Sequence, residues 1–232
     1  MTETHTPFPL VARMLRSLAG SGVYVAIAFI GAGTVAWPRG IAFSGLFVAA
    51  SLTGTLLLAL YNPDLLTARK KTLKRDTKPF DRLFYALFLP LVILHPLIAG
   101  LDAVRFGWAP LPLSMLVPGV MLFAASSSLN TWTLLVNAHA EASVRVGAEG
   151  EHHLVTAGPY RVVRHPMYLG TLIGLPALAL ITGSGLALVP AALIGALFVW
   201  RTQREDETLR AELAGYADYA AVTRYRLLPA LW

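Results

Sequence analysis

The chain has 232 residues, 56% of them hydrophobic and 14% charged, with a mean hydropathy of +0.59. An average soluble domain carries ~25% charged and ~45–50% apolar residues, so this composition excludes an ordinary soluble enzyme and a disordered chain. The formal net charge is +6 and there is no cysteine, which excludes a disulfide framework, a thiolate nucleophile and a Cys-based metal site.

Crossing a bilayer as a helix takes ~20 mostly apolar residues. Runs of that kind occur at 18–37, 41–60, 80–101 and 111–136. The first has no clear cleavage site and more spans follow, so it reads as a span and not a signal peptide. A further run, 166–200, is too long for one span at ~1.5 Å per residue. Gly183-Ser184-Gly185 interrupts it with a turn signal, which predicts a helical hairpin over 167–182 and 186–200. Each arm is short enough to be tilted or to cross only in part. The expected fold is therefore all-α: a polytopic transmembrane helical bundle of four long spans plus a C-terminal helical hairpin. No internal repeat divides the chain, so 1–232 reads as one membrane domain. Its 1–136 part holds the four spans; its 137–232 part holds hairpin 166–200 and a polar tail.

The basic residues set the expected orientation. Arg13 and Arg16 precede the first span. Arg69, Lys70, Lys71, Lys74, Arg75, Lys78 and Arg82 crowd the second loop, and further arginines fall in 137–165 and after the hairpin. Of all 19 Lys and Arg, Arg39 and Arg105 alone fall on the other side. The positive-inside rule then puts the N-terminus and the C-terminal tail in the cytoplasm. Loop 61–82 reads as a topogenic segment facing membrane lipids. A nucleic-acid partner is not expected, because this cluster lacks aromatic interleaving and sits between two spans.

Ionisable groups concentrate in 137–165 and 201–232, so chemistry is expected at the cytoplasmic mouth. In 152–170, HHLVTAGPYRVVRHPMYLG, Gly158-Pro159 makes a turn and Pro166 suits the first position of the hairpin helix. Arg161, Arg164 and His165 beside that helix N-terminus suit an anion. On spacing alone, a basic turn anchored to lipid phosphates explains them equally well. Glu205-Asp206-Glu207 follows Arg201, which can pair with Glu205 at i,i+4. The acids suit a cationic or polyhydroxyl ligand, or merely begin a solvated amphipathic stretch through Leu209, Leu213 and Tyr216. His139, His152, His153 and His165, with Glu141 and Glu151, lack HxxxH or HExxH spacing, so no metal site is expected. His95, inside the third span, is a functional candidate by its depth, though a hydrogen bond to a neighbouring helix accounts for it too. Gly31 and Gly33 read as packing positions in the first span. There is no GxGxxG after a strand and no GxxxxGK[ST], so any nucleotide-type cofactor is held without a Rossmann domain.

The segment GPYRVVRHPMYLG at 158–170 resembles the signature of the isoprenylcysteine carboxyl methyltransferase family of integral membrane enzymes, roughly GPYxxxRHPxYxG. In that pattern a hydrophobic hairpin and RxxxEE follow; here Arg201 to Asp206 match, with Asp206 replacing the second Glu. The tail ELAGYADYAAVTRYRLLPALW and the loop NPDLLTARKKTLKRDTKPFDR are similar to the family's as well. The resemblance spans roughly 60–232 and implies S-adenosylmethionine as cofactor, in a pocket at the cytoplasmic face. It implies cofactor contacts at Leu154, Gly158, Tyr160, His165, Pro166, Tyr168, Glu205 and Asp206. It also makes Arg164, Arg201 and Glu205 the catalytic candidates, the arginines orienting a carboxylate. The implied activity is methylation of a lipophilic or prenylated acceptor that enters from the bilayer. A chain rich in Arg over Lys and in Ala suggests a bacterial inner membrane, where a small lipophilic acid, thiol, amine or phenol could replace a prenylcysteine. A membrane reductase using NADPH, as in sterol reductases, and a non-enzymatic lipid-binding protein are the competing readings. The acidic run 205–207 speaks against a phosphate-rich ligand.

Overall fold

The computed structural model describes residues 10–62, 78–137 and 154–232. Loop residues Arg69 to Arg75 and the residues His139, Glu141, Glu151, His152 and His153 lie outside them. Among the described residues all regular structure is helical. Four helical stretches are long and apolar enough to cross a membrane: Leu10–Ala32, Pro38–Tyr61, Pro79–Phe106 and Leu113–Val136. Their apolar windows are only 11–28% buried within the protein, so most of their hydrophobic surface faces outward, as lipid contact requires.

Helix α1 (Leu10–Ala32) starts earlier and stops earlier than the hydropathy predicts. Arg13 and Arg16 join it, because a helix carries long cations at the bilayer edge with their heads outward. It ends because Gly33 takes φ +71° and its N–H bonds the Phe29 carbonyl at 2.9 Å. Gly33 is thus a helix stop and not a packing residue. Gly31 does pack: a Cβ there would strike the Leu97 carbonyl, and one at Gly100 would strike Ala28. Helix α2 (Pro38–Tyr61) opens with proline at its first position. Helix α3 (Pro79–Gly100) crosses α1 at the Gly31–Gly100 contact and continues into a π-helical turn, Leu101–Phe106, beyond the predicted end. Gly107, at φ +62°, terminates it. Helix α4 (Leu116–Val136) follows a single 3-10 turn.

The hairpin forms as predicted: α5 (Pro166–Thr182) and α6 (Leu188–Glu212) are separated at Gly183, whose φ is +89°. Helix α6 does not stop at Trp200, where hydropathy falls. It runs on to Glu212 and carries Arg201, Glu205 and Asp206 on its polar extension. A short helix α7 (Tyr216–Val222) closes the chain's helical part. Helix α5 is the central element, in contact with α2, α3, α4 and α6. Its centrality explains its composition: Ala177, Leu178, Ala179 and Ile181 are all buried.

Two charges clasp the hairpin turn at the end of the bundle away from the sequence motifs. Arg39 donates to the carbonyls of Leu180 (2.5 Å), Ile181 (2.8 Å) and Leu111 (2.8 Å), where a cation complements the C-terminus of α5. Asp102 is buried and accepts from Ser184 Oγ (2.6 Å) and the N–H groups of Ala109 (2.7 Å) and Leu186 (3.1 Å). Loop and hairpin turn are thereby locked together, so the opposite ends of α5 and α6 present their side chains in a fixed register.

Candidate functional site

The chain approaches α5 through a 3-10 turn, Gly158–Arg161. Gly158 takes φ +59°, and its missing side chain leaves room for Val136 and Trp132 of α4. Tyr160 is anchored from two sides. Its hydroxyl accepts from Asn137 Nδ2 at 2.7 Å, and its carbonyl accepts from the Tyr219 hydroxyl at 2.6 Å. Leu154 packs with Tyr160, Leu209 and Leu213 against Tyr216, Tyr219 and Ala220. The amide groups of Arg164 and His165 then donate to the carbonyls of Tyr225 (2.9 Å) and Arg226 (3.0 Å). The Arg164–His165 part of the motif is therefore tied to the tail by main-chain hydrogen bonds before any side chain is considered.

Asp206 is the electrostatic centre of this end. Its carboxylate is fully buried and accepts two bonds from Arg164, Nε at 2.7 Å and Nη2 at 3.0 Å. Tyr216 Oη donates to it at 2.8 Å, Arg226 Nε at 2.9 Å and Arg210 Nε at 3.1 Å. Burial alone would raise its pKa. Nearby His165 and hydrogen bonds from Arg164, Arg226 and Tyr216 outweigh burial and hold it far below the usual carboxylate range. Burial and then the Asp206 charge push the Tyr216 phenol well above its ordinary value, so it stays a donor. Arg164 spends its remaining reach on the carbonyls of Thr223 (2.8 Å) and Arg224 (2.7 Å). Its guanidinium is engaged by the protein itself, in the role of a strut between loop, α6 and tail.

Glu205, one residue earlier, points elsewhere. One of its oxygens accepts from the Tyr168 hydroxyl at 2.5 Å and lies 3.8 Å from Arg201 Nε; the other lies 3.9 Å from His165 Nδ1. Its side chain keeps 18% exposure while that of Asp206 has none. The imidazole of His165 stacks on Tyr168 with centroids 5.6 Å apart and planes 8° from parallel. Arg201 pairs with Asp81 at 3.0 Å and lies over the rings of Phe84 (4.5 Å), Tyr168 (5.4 Å) and Tyr85 (5.5 Å). This is cation–π packing that fixes the guanidinium in a dry setting.

Arg164, His165, Pro166, Tyr168, Arg201, Glu205 and Asp206 thus converge where the start of α5 meets the polar extension of α6. Gly158, Tyr160 and Leu154 lie to one side and connect through Tyr219 and Tyr216. Three participants escape a reading by motif: Asp81 opposite Arg201, Tyr216 on Asp206, and Arg226 on the same carboxylate. Asp81 is the acid in the first turn of α3, directly after a basic run that also holds Asp76, so nothing local singles it out. Chemically, the arrangement offers a partly exposed carboxylate, held by neighbours, beside stacked aromatic rings and a rim of arginines.

Comparison with known proteins agrees with the motif. Residues 114–214 match the phospholipid methyltransferase family, a stretch that runs from the start of α4 to the end of α6. A search of curated proteins finds no match. That stretch contains both halves of the motif and the carboxylates at which they converge, so this part of the chain is similar to the phospholipid methyltransferase family, the integral membrane methyltransferases that include the isoprenylcysteine carboxyl methyltransferase-like enzymes.

Proposed function

We propose that the protein transfers a methyl group from S-adenosylmethionine to a lipophilic acceptor drawn from the bilayer, such as the carboxylate of a prenylcysteine-like molecule. Glu205 carries this reading. It is a carboxylate of partial exposure at the convergence of both motif halves. The donor molecule carries an ammonium, a sulfonium and ribose hydroxyls, and a carboxylate answers all three. Arg226, with 27% of its side chain exposed, lies at the rim for its carboxylate. The residues therefore fit the cofactor.

When bound, S-adenosylmethionine supplies an electrophilic methyl on sulfur. The protein's residues hold and orient the partners and keep water out, which is most of what such a displacement needs. A carboxylate acceptor, with a pKa near ~4, is already ionised at neutral pH and needs no general base. Arg201 restrains Glu205 and Tyr168, while Arg164 and Asp206 act as positioning residues that bind loop to tail. Calorimetric titration of the detergent-purified protein with S-adenosylhomocysteine tests the reading, with NADPH as the parallel ligand. Saturable micromolar binding of the former is expected. Binding of NADPH in its place would transfer the site to a reductase.

The same reading sets the motif end in the cytoplasm of a bacterial cell. Its support is the charge distribution, with Arg39 and Arg105 the exceptions among all Lys and Arg. The native chain has no cysteine, so single cysteines report sidedness cleanly. Val35 and Val222 are 79% and 84% exposed at opposite ends. In spheroplasts, an impermeant maleimide is expected to label V35C directly and V222C only after lysis. The reverse pattern would invert the topology.

A further inference from the structure

Helix α3 buries two ionisable groups, and they have different explanations. His95, at mid-span, meets a neighbouring helix as expected: its Nδ1 lies 3.2 Å from the Tyr24 hydroxyl of α1. Asp81, in the first turn, has no exposure and pairs across to α6, where Arg201 Nη2 lies 3.0 Å away. An acid at a helix start gains from the free N–H groups there, but it gains that in water as well. Burying an ion pair adds little stability, because desolvating two charges offsets their attraction. The side chains of Arg204 and Arg210, on the same helix as Arg201, are 51% and 45% exposed, against 6% for Arg201. Arginines on this helix can thus reach water, and Arg201 is held back from it.

The charges around Arg201 show what this arrangement does. The guanidinium lies between two carboxylates, with Asp81 Oδ1 at 3.0 Å from Nη2 and Glu205 Oε2 at 3.8 Å from Nε. The rings of Phe84, Tyr85 and Tyr168 pack around it. One guanidinium carries one positive charge, and the attraction is stronger toward the nearer partner in the drier setting. Asp81 is nearer and wholly buried, while the side chain of Glu205 keeps 18% exposure. The three groups sum to one negative charge. That charge falls on Glu205, the member a ligand can reach.

We propose that Asp81 is a positioning residue that sets the charge of the cofactor site: by engaging Arg201 it leaves the Glu205 charge for the ligand, which favours the sulfonium donor over its neutral thioether product. The inference rests on the methyl-transfer reading. S-adenosylmethionine carries one positive charge more than S-adenosylhomocysteine and otherwise differs from it by the methyl alone. A negative charge left in the site therefore weights the balance toward the donor and toward release of the product. Without the charge of Asp81, Arg201 still has Glu205 one turn away on its own helix and turns to it, so that the sum becomes zero. The loss then falls on discrimination of charge and not only on the shape of the site.

The test is calorimetry on the full detergent-purified chain with two ligands, S-adenosylhomocysteine and sinefungin. In sinefungin a protonated amine stands in place of the sulfonium and no methyl can be transferred. Asp81→Asn keeps the side chain's shape and removes its charge. It should weaken sinefungin about tenfold more than S-adenosylhomocysteine, the scale of one unit charge acting through a partly screened site. Combining Asp81→Asn with Arg201→Met restores the sum of charges and should return the ratio of the two affinities to the wild-type value, even where both affinities are lower. Equal weakening of the two ligands by Asp81→Asn would overturn the proposal and leave Asp81 a structural acid. So would a single variant that fails to fold while the double variant folds, since Glu205 would then not have taken over Arg201. Wild-type protein that binds neither ligand would instead remove the methyl-transfer reading on which the inference stands.

Discussion

Asp206→Asn is expected to lower stability by about 3–5 kcal/mol, the loss typical of breaking a buried ion pair at one partner. Asparagine keeps the shape and one acceptor oxygen but removes the charge. Arg164 would then be a cation, 4% exposed, with neutral oxygens for partners and no counter-charge. Tyr216 and Arg226 bond different oxygens of Asp206, so one of the two would lose its acceptor at the same time. The expected readout is a large fall in the detergent melting temperature, with α7 and the tail becoming protease-sensitive before the spans. Arg164→Met should cost a similar amount. The pair Arg164→Met with Asp206→Leu should cost less than the two singles summed, because no charge is then stranded. The dependence on pH has a definite sign. The Asp206 pKa is depressed on folding, so its contribution is complete above the unfolded value of ~3.9 and is lost only as pH falls toward the folded one. Tyr216 is raised instead, so its contribution is complete below ~10 and fades as pH rises. Stability at this end should therefore be flat between about pH 5 and 9. A wild-type protein that loses its α7 packing on going from pH 8 to 6 would contradict the assignment.

Glu205→Gln should behave in the opposite way. The amide oxygen can still accept from Tyr168, so the fold should stand, with melting close to wild type. Cofactor affinity should fall by roughly 10–150-fold, the equivalent of one charge-assisted hydrogen bond at ~1.5–3 kcal/mol. His165→Ala removes the ring stacked on Tyr168 and should weaken binding while leaving Asp206 its arginines. The contrast between adjacent carboxylates is the discriminating feature. Position 206 should report on stability and position 205 on ligand affinity. Equal affinity in wild type and Glu205→Gln would remove Glu205 from the cofactor site.

The two acids also show how far the sequence could be read. Hydropathy located all four spans, and Gly183-Ser184-Gly185 marked the hairpin turn, where the structure puts Gly183 in the left-handed region. Hydropathy placed ends less well. It follows the bilayer and not the backbone, so α6 continues for three turns past Trp200, and Gly33 stops α1 inside an apolar run. The motif residues were legible as a group, and the structure does gather Arg164, His165, Tyr168, Arg201 and Glu205 at one end. Their division of labour was not. Neighbours on a helix point ~100° apart, so Glu205 and Asp206 face different surroundings, and which one is buried depends on where α7 and the tail lie. Asp81 meets Arg201 across a separation no local pattern encodes. Arg39 looked like a lone loop charge of the sparsely charged side; with Asp102 it clasps the hairpin turn, whose buried carbonyls and N–H groups need partners.

The central claim is methyl transfer to something that lives in lipid. Its most direct test is to incubate the purified protein in nanodiscs of native lipid extract with S-adenosylmethionine carrying a tritiated methyl group. Organic-phase label is then counted for wild type, Glu205→Gln and a boiled control. Time-dependent label entering the organic phase with wild type, and reduced at least tenfold by Glu205→Gln at a fixed subsaturating cofactor concentration, is the result the account predicts. Label that stays in the aqueous phase with wild-type protein that binds S-adenosylhomocysteine would contradict a lipophilic acceptor.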